Sequence, residues 1–386
     1  MTLVPYKYRL YPNKKQCEYF SKVFGCVRFV YNKMLEDSEK YYEIEGKRLP
    51  TNPSSYKDEF PFLREVDSSA LSNAKMNLDY AYTRFFRKEA NRPRFKSKKD
   101  KFCSYSTNML SNNIRIEGSY VRLPKIKFVR MKMHRPFTGT IKKATVTRTP
   151  AGDYYVILLV ETEVEKQPVV DKKIGVDLGI VNIMTGSDGT VVENIRPYNK
   201  YLRKLARENR RLSRKKKGGK NREKQRIKLA KVYRKVSNIR SDFIHKVTRK
   251  LVNENQVIAC ENLVINDIMK ENRFARKDIA DSSWSTFIKY LKYKSEWYGR
   301  IFVKVDKYFP SSQICSGCGY RNTDIKGINV KNWTCPECGV LHQRDVNAGK
   351  NILREGERII ELAGGLEEEL KSISSGYYYL DNTACC

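Results

Sequence analysis

The sequence predicts a mixed α/β fold, and three stretches far apart in the chain carry this prediction. The first is a short apolar strand, residues 174–182, whose one carboxylate is Asp177. The second is another short apolar strand, which Glu261 follows directly. In the third, a helix begins beside Asp345, where the helix N-terminus favours an anion. Three acids are therefore expected at two strand ends and at the start of a late helix.

Taken alone, Asp177 fits an ordinary turn at a strand end as well as it fits a functional site. A short apolar strand is normally buried on both faces, and burying an isolated carboxylate costs several kcal/mol unless it is paired or binds a metal. Gly179 would let the backbone come close to whatever Asp177 holds. The two further acids favour the functional interpretation.

The order of elements between and after these acids predicts the type of domain. Two more short strands, Val181–Thr185 and Thr190–Asn194, and a long helical region fit before Glu261. A helix over Asp281–Gly299, capped by Asp281 or Ser282, precedes a last strand at 301–305 and the final helix. Three strands, helix, strand, helix, strand, helix is the RNase H-like arrangement. Its chemistry needs such acids, because carboxylates hold two divalent ions roughly 3.5–4 Å apart around a phosphodiester.

The composition predicts a polyanionic partner. Lys and Arg number 76 against 43 Asp and Glu, which gives the 386-residue chain a formal net charge of +33. Such a surplus repels itself and indicates nucleic-acid binding, and the 40% hydrophobic content allows two or three domains. The longest apolar run, Tyr154–Val160, is far shorter than a membrane span, and Met1–Tyr11 lacks the apolar region of a signal peptide. We therefore expect a cytoplasmic nucleic-acid-binding protein.

Four of the ten cysteines form two CxxC pairs on either side of residues 319–334: Cys315, Cys318, Cys335 and Cys338. The alternative is a set of unpaired core cysteines, but two such pairs at this distance are typical of a zinc ribbon. Four thiolates leave no open position, so the expected zinc ion is structural. The other cysteines are scattered, which favours a reduced compartment over a disulfide framework.

Other side chains of this region are candidates for supporting roles. The ribbon is expected to hold a nucleic-acid-facing loop beside the acids, with Tyr320, Arg321 and Trp333 as contact candidates. His342 is the histidine nearest to the acids in the sequence. It could support their site, and it fits a turn or core role equally well.

The N-terminal half combines strand patterns with helical ones. Val4–Leu10 alternates apolar and basic residues, and five further strand patterns lie between residues 114 and 162. These strands are expected to form a small β-barrel. Two amphipathic helices, from Asn13 to about Glu45 and near Ser68–Lys88, would be inserted into it, with Phe85 on the packing face of the second.

Two basic stretches are candidates for nucleic-acid contact. Residues 91–99 place basic residues around an aromatic and a proline, which suits backbone binding and base stacking better than a linker. Residues 200–254 read as two antiparallel helices joined at Gly218 and Gly219. Exposed charged helix surfaces usually carry both positive and negative residues. The nearly uniform positive charge here favours a binding surface for a phosphate backbone over a solvated coiled coil. The candidate contacts are Arg92, Arg94, Phe95, Lys96, Lys98, Lys99, Arg203, Lys204, Arg207, Arg210, Arg211, Arg214, Lys215, Lys216, Lys217, Lys220 and Arg222.

The sequence resembles the TnpB (OrfB) family of insertion-sequence proteins, which are relatives of compact type V CRISPR effectors. The resemblance covers nearly the whole chain. It rests on the motifs at 175–180, 260–263, 281–284, 309–315 and 342–348. The chain departs from the pattern at Gln343, where the family often has Asp. If that Asp assists metal binding, its loss weakens the site, but Asp345 matches the catalytic acid.

The resemblance implies a function. Members are RNA-guided DNA endonucleases of transposons, which cut both strands of a duplex with a single RuvC-type site next to a short adjacent motif. Asp177, Glu261 and Asp345 would hold two Mg²⁺ or Mn²⁺ ions, and Arg344 would neutralise the scissile phosphate. A transposon-derived guide RNA would be bound by both lobes of a monomer.

The resemblance also implies a domain organisation. A wedge-like β-barrel carries an inserted helical recognition domain, and both precede an RNase H-like (RuvC) nuclease domain with a zinc-ribbon insertion. The expected boundaries are 1–12 and 102–170 for the wedge, 13–101 for the recognition domain, 171–313 and 341–362 for the nuclease domain with its basic hairpin at 200–254, 314–340 for the ribbon, and 363–386 for a mobile tail.

Two other functions remain open. A guided DNA-binding regulator without cleavage would keep this architecture but lose one or more acids, and all three are present here. A guide-free, structure-specific nuclease such as a junction resolvase would share the acids. It would need neither residues 1–170 nor the zinc knuckle.

Overall fold

The computed structural model of the chain describes residues 1–47, 49–100, 102–263, 276–326 and 330–364. It divides into a first unit, Met1–Glu163 with Lys220–Ala230, and a second unit formed by Val164–Gly219 and the chain from Lys231 onward. Within these described ranges, every helix is too short or too polar to cross a membrane. The predicted tail falls outside the described residues from position 365 onward.

The first unit is built on a seven-stranded antiparallel sheet. Its strands are β1 (Thr2–Tyr11), β2 (Cys103–Asn108), β3 (Arg115–Glu117), β4 (Tyr120–Leu123), β5 (Lys127–Lys132), β6 (Thr140–Arg148) and β7 (Tyr154–Thr162). They pair in the order β2-β6-β7-β1-β5-β4-β3, a half-barrel in which the N-terminal strand lies between β7 and β5. Buried and exposed residues alternate along β1 and β7, so one face of the sheet covers a core. The predicted strands are confirmed, and β2 is an additional one.

The first unit also contains two long helices and one short one from its N-terminal part: α1 (Lys14–Glu45), α2 (Tyr56–Glu59) and α3 (Ser68–Phe86). Helix α1 begins where predicted because Asn13 and Gln16 form a capping box, with N–H to side-chain distances of 2.9 and 3.0 Å. On α3 the buried stripe ends at Tyr82, and Phe85 is 36% exposed. The prediction that Phe85 packs inward is therefore wrong, because it lies in the last turn beyond that stripe.

The second unit contains a five-stranded mixed sheet. Its strands are β8 (Lys173–Asp177), β9 (Asn182–Gly186), β10 (Val191–Glu193), β11 (Val257–Glu261) and β12 (Ile301–Val305). They pair in the order β10-β9-β8-β11-β12. Strands β8, β11 and β12 are parallel neighbours, β9 pairs antiparallel with β8, and β10 pairs antiparallel with β9. The carboxyl ends of β8, β11 and β12 therefore lie along one edge. This is the RNase H-like arrangement that the sequence predicts.

Among the described residues, the α-helices that follow are α4 (Pro197–Ser213), α5 (Lys220–Glu254), α6 (Arg276–Ser282), α7 (Trp284–Tyr298) and α8 (Arg344–Leu362). The predicted helix over Asp281–Gly299 is divided at Ser283, whose φ of 53° breaks the helical path. Neither predicted cap is used, because Asp281 and Ser282 both lie within α6, where the Ser282 hydroxyl donates to the Asp278 carbonyl at 2.9 Å. The buried carboxylate of Asp281 instead accepts hydrogen bonds from Arg240 and from the Tyr198 N–H. Helix α8 continues beyond Leu353 as far as Leu362.

Glycines let α8 lie directly on the sheet. A Cβ on Gly175 in β8 would overlap the carbonyl oxygen of Gly349 and the nitrogen of Leu353 in α8. A Cβ on Gly349 would come within 2.9 Å of the Ser187 nitrogen. Helix backbone thus contacts strand backbone, which fixes the first turn of α8, with Asp345, relative to the end of β8.

Candidate active site and cysteine cluster

The two parallel strands bring the first two acids to the same edge of the sheet. Cys260 is paired with Val176 in the ladder between β11 and β8. The next residue on each strand is an acid, so Glu261 and Asp177 end neighbouring strands side by side. Asp345 lies in the first turn of α8, which packs on β8. The three predicted acids are therefore brought together from β8, β11 and α8.

The charge of this cluster is unbalanced. Burial raises the pKa of Asp177 to about 8, and the charges of Glu261 and Asp345 also raise it. The Arg344 guanidinium opposes this shift without overcoming it. A carboxyl that resists ionisation beside two other acids indicates a place for a cation.

Glu261 has a partner that sequence patterns do not predict. The Ser311 hydroxyl donates a hydrogen bond of 2.6 Å to Oε1 of Glu261. Burial raises the pKa of Glu261, and this hydrogen bond acts in the opposite direction. The two residues are 50 positions apart in the sequence. The sequence feature that points to Ser311 is its place in the motif at 309–315.

The donor set fits divalent ions that prefer oxygen. Carboxylate oxygens are the ligands of Mg²⁺, and all three acids are partly exposed, so that an ion can reach them. Among the described residues, the group whose ligand atoms all lie within 4.8 Å of one another is that of the four cysteines, and the three acids do not form such a group. Two ions roughly 3.5–4 Å apart require ligands distributed around both. The residues present are consistent with a two-ion site.

Gly179 has a local role that differs from the expected one. A Cβ at this position would lie 2.8 Å from the carbonyl oxygen of Asn182. The indole N–H of Trp284 donates to the Gly179 carbonyl at 3.2 Å. The glycine thus allows a tight loop after Asp177, and α7 holds that loop in place.

The four predicted cysteines form one compact cluster. Their sulfurs all lie within 4.8 Å of one another, with Cys315 3.6 Å from Cys338 and Cys318 3.7 Å from Cys335. Burial tends to raise the pKa of Cys315. The Cys318 N–H and the His342 ring nitrogen lower it to about 6 overall. The backbone N–H donors of Tyr320 and Val340 act to lower the pKa values of Cys318 and Cys338, but desolvation and the neighbouring sulfurs outweigh them, so both values are raised. Four sulfurs this close together form a ligand set for a metal cation, which would hold them as thiolates.

One expectation for the ribbon needs correction, that Trp333 contacts nucleic acid, whereas the core role that was one of two alternatives for His342 is confirmed. Trp333 and His342 face each other on the paired strands β13 (Asn332–Thr334) and β14 (Leu341–Gln343), with ring centroids 4.8 Å apart. Trp333 is only 6% exposed, so it packs in the ribbon core and does not offer a nucleic-acid contact. The Nε2 atom of His342 lies 3.0 Å from the Cys315 sulfur, so this histidine belongs to the cysteine cluster.

The basic segment at 91–99 is fastened to α1. The side chain of Asn32 brackets the backbone of Lys96, accepting from its N–H at 2.8 Å and donating to its carbonyl at 3.0 Å. The Lys96 ammonium lies 3.9 Å from the centre of the Tyr31 ring, and Arg92 pairs with Glu39 at 3.3 Å. Two of the predicted contacts therefore have internal partners. All six predicted contacts of this segment are exposed, so Arg92 and Lys96 keep a solvent-facing part alongside Arg94, Phe95, Lys98 and Lys99.

The basic residues on α4 and at the start of α5 face solvent. Most predicted contacts there are exposed, and only Lys215 and Arg222 are partly buried. Glu208 is buried and pairs with Arg207 and Arg211 at 3.4 and 3.3 Å. The rest of the stripe keeps a strong positive charge, and its contact with nucleic acid stays a prediction.

Comparison with known protein families gives matches along the chain. The OrfB_IS605 profile, described as a probable transposase, matches residues 157–272. A Cas12f1-like TNB domain profile matches residues 284–352. A helix-turn-helix profile of the OrfB_IS605 group matches residues 1–47, which here form one strand and one long helix.

Similar proteins span nearly the full length. A "Putative RNA-guided DNA endonuclease" of Streptomyces pristinaespiralis is 35% identical over 96% of this chain and 94% of its own. The InsQ protein of Escherichia coli K12, with the same description, is 31% identical over 93% of each chain. The fold is similar to that of Cas12f1 in its complex with guide RNA and target DNA, with a TM-score of 0.56 at 15% identity over 88% of this chain and 83% of that one. By its identity to full-length relatives, the chain belongs to the TnpB (OrfB) family of insertion-sequence proteins.

Proposed function

We propose that this protein is an RNA-guided DNA endonuclease that cuts double-stranded DNA beside a short transposon-adjacent motif with one metal-dependent site. The observation that carries the proposal is the convergence of Asp177, Glu261 and Asp345 in a protein whose full-length relatives bear that description. The acids would hold two Mg²⁺ or Mn²⁺ ions. When bound, such ions supply Lewis-acid polarisation of the phosphodiester and an activated water.

The chain's own residues prepare this chemistry. The backbone contact between Gly175 and Gly349 fixes the distance between the strand that bears Asp177 and the helix that bears Asp345. Arg344 adjoins Asp345 and interacts electrostatically with Asp177, so it can offer its positive charge to a phosphate at this edge. The cysteine cluster would hold one structural zinc ion beside the helix that carries Asp345.

Specificity would come from a bound RNA. A net charge of +33 binds any polyanion, and the ribbon and half-barrel are too limited to read a long DNA target. Base pairing with a guide reads such a target instead. We assign the guide to the basic surfaces of both units, with the protein acting as a monomer with its RNA in the cytoplasm. The domain roles follow the boundaries expected from the sequence: wedge at 1–12 and 102–170, recognition at 13–101, nuclease at 171–313 and 341–362, and ribbon at 314–340.

One experiment tests the guided function. Protein purified from its native host should carry RNA, and sequencing that RNA identifies the guide. Ribonuclease treatment before adding duplex DNA should abolish cleavage. Restoring cleavage should require an RNA whose guide end matches the target next to a fixed motif. Cleavage of branched or unmatched DNA by RNA-free protein would refute the guided function and leave a structure-specific nuclease.

A second experiment tests the basic surface of α4 and the start of α5. Five exposed Lys or Arg residues between Arg203 and Lys220 are replaced by Gln. The slope of log affinity for RNA against log salt concentration should become shallower by several units, because each lost phosphate contact removes about one unit of slope. Five replacements at exposed Lys and Arg residues of α1 and α3, in the recognition domain, measure the share of the salt dependence that the first unit contributes. An unchanged slope would show that the α4 surface does not contact RNA.

A further inference from the structure

The loop that follows β12 contacts the candidate catalytic site before it enters the cysteine cluster. Ser311 is 5% exposed, and its hydroxyl donates to Oε1 of Glu261 at 2.6 Å. Ser311 thus binds one carboxylate oxygen of Glu261, and the other oxygen, Oε2, is available to a different ligand. A hydroxyl donor to one oxygen of a charged carboxylate restricts the rotation of the whole group.

Two buried amides of α8 hold the same loop. Asn351 donates to the carbonyl oxygens of Ser311 and Ile314, at 2.8 and 2.6 Å. Asn347 donates to the Ile314 carbonyl at 2.7 Å and accepts from the Ser316 N–H at 2.9 Å. Both side chains are almost fully buried, at 2% and 1% exposure. Such bonds are costly to break because they leave buried polar groups unpaired.

The loop also contains a member of the cysteine cluster. Cys315 lies between Ile314 and Ser316, the two residues that Asn347 brackets. The helix that supplies Asn347 also supplies Asp345 in its first turn. One helix and one loop therefore connect the cysteine cluster to two of the three acids.

We propose that this loop couples the two metal centres and that Ser311 is a positioning residue for Glu261. Ser311 fixes the Glu261 carboxylate for divalent-ion binding, while Asn347, Asn351 and the metal-loaded cysteine cluster fix Ser311. The proposal rests on the proposed function, in which Glu261 is a metal ligand. Residues that orient a metal ligand change metal affinity or activity about 10–100-fold when they are removed.

The first test is Ser311→Ala in the complex of protein and guide RNA. The Mg²⁺ concentration that gives half-maximal single-turnover cleavage should rise about 10–100-fold, whereas the rate at saturating Mg²⁺ should recover to within a few fold. Direct Mn²⁺ binding, measured by electron paramagnetic resonance against an Asp177→Ala complex as the blank, should weaken in parallel. Ser311→Thr keeps the hydroxyl and should restore most of the affinity.

The matched control is Ser312→Ala, which removes the neighbouring hydroxyl. Within the part of the chain that the structure describes, no side-chain hydrogen bond of Ser312 is present. This variant should have the wild-type Mg²⁺ requirement. If Ser311→Ala and Ser312→Ala show the same requirement, Ser311 does not position Glu261 and the proposal is overturned.

The second test concerns the coupling itself. Cys318→Ser, which alters an exposed ligand of the cluster, should also raise the Mg²⁺ requirement, and its effect should not add to that of Ser311→Ala. Additive effects would overturn the coupling. Zinc content and melting temperature, measured on each variant, identify any that fails to fold, and the Ser311 comparison stands without Cys318→Ser.

The outcomes separate this proposal from the proposed function. If Asp177→Ala and Glu261→Ala still cut DNA, the active site itself is wrong. If both are inactive while Ser311→Ala matches its control, the active site stands and only the coupling is lost.

Discussion

The acid cluster and the cysteine cluster of the second unit are assembled in opposite ways. All four cysteines lie between residues 315 and 338, in two pairs whose spacing is visible in the sequence. The acids come from β8, β11 and α8 and span residues 177–345, so only the packed sheet and helix bring them together. The comparison teaches that the two clusters depend on different levels of structure. The cysteines depend on local turns, and the acids depend on long-range packing.

The two clusters also differ in their electrostatics. In the cysteine cluster, N–H donors and His342 lower the pKa of Cys315 to about 6, whereas the pKa values of Cys318 and Cys338 are raised. In the acid cluster, burial and like charges raise the pKa of Asp177 to about 8, so this carboxyl depends on a cation to be ionised at neutral pH. The following predictions test these differences, from the largest expected effect to the smallest.

The largest effect is expected from removing an acid. Asp177→Ala should reduce DNA cleavage by about a thousandfold or more, because several kcal/mol of metal-dependent charge stabilisation are lost. RNA affinity should stay within a few fold, and zinc content should not change. Gel-based cleavage and binding assays measure both, with Asp242→Ala, which alters an exposed acid of α5, as the control. Cleavage near the wild-type rate would remove Asp177 from the active site.

Removing two cysteines should destabilise the second unit. Cys315→Ser together with Cys338→Ser should lose bound zinc, measured by elemental analysis, because a structural metal contributes its binding energy to folding. The melting temperature should fall, and cleavage should fall with it. Cys17→Ser with Cys103→Ser removes two cysteines outside the cluster and should retain zinc. Wild-type protein without zinc would contradict the ribbon.

A change at the helix–sheet contact should separate the two clusters. Gly349→Ala places a methyl group against the backbone of β9 and should cost about 1–3 kcal/mol of unfolding free energy. It should impair cleavage, because Asp345 shifts, while zinc content stays normal. Gly25→Ala is the control, since its methyl group meets open space within α1 and should stabilise by up to about 1 kcal/mol. Normal cleavage by Gly349→Ala would show that the acids tolerate a shift of α8.

The smallest expected effect is a pH dependence of stability in divalent-free buffer. The folded protein holds the Asp177 proton up to about pH 8, whereas the ordinary pKa is 3.8. The contribution of this group to stability is therefore complete below about pH 4 and is lost as the pH rises towards 8, where the folded carboxyl ionises. The free energy of unfolding, measured with denaturant for wild type and for Asp177→Asn, should give a difference that decreases as the pH rises. Added Mg²⁺ should reduce this pH dependence. A difference independent of pH would contradict the raised pKa.

The sequence predicts those parts of the site that leave a local signature. Apolar strands ending in Asp177 and Glu261, and cysteines at a fixed spacing, are such signatures, and the structure confirms these strands and the cluster. The hydrogen bond from Ser311 to Glu261 joins residues that are distant in the chain, so periodicity gives no sign of it. The burial of Trp333 depends in the same way on the pairing of two short strands.

The sequence also does not predict where single residues interrupt a helix or which distant side chain they contact. Ser283 interrupts the helix predicted over Asp281–Gly299 with a φ of 53°, and it lies between Asp281, which accepts from Arg240, and Trp284, which donates to Gly179. Lys96 reads as one more basic residue in a basic run. The hydrogen bonds that Asn32 makes to the Lys96 backbone come from a helix 64 positions earlier in the chain.

The close backbone contact of α8 has a consequence for protein synthesis and gene decay. A ribosome makes Asp177 first, then Glu261 and the cysteines, and only afterwards Asp345 and the glycine that seats α8 on β8. The catalytic set thus stays incomplete until α8 has left the ribosome. A gene copy with a premature stop before Asp345 still encodes the basic helices α4 and α5 but lacks the third acid. If α4 and α5 bind RNA as proposed, such a product would compete for RNA without cutting DNA.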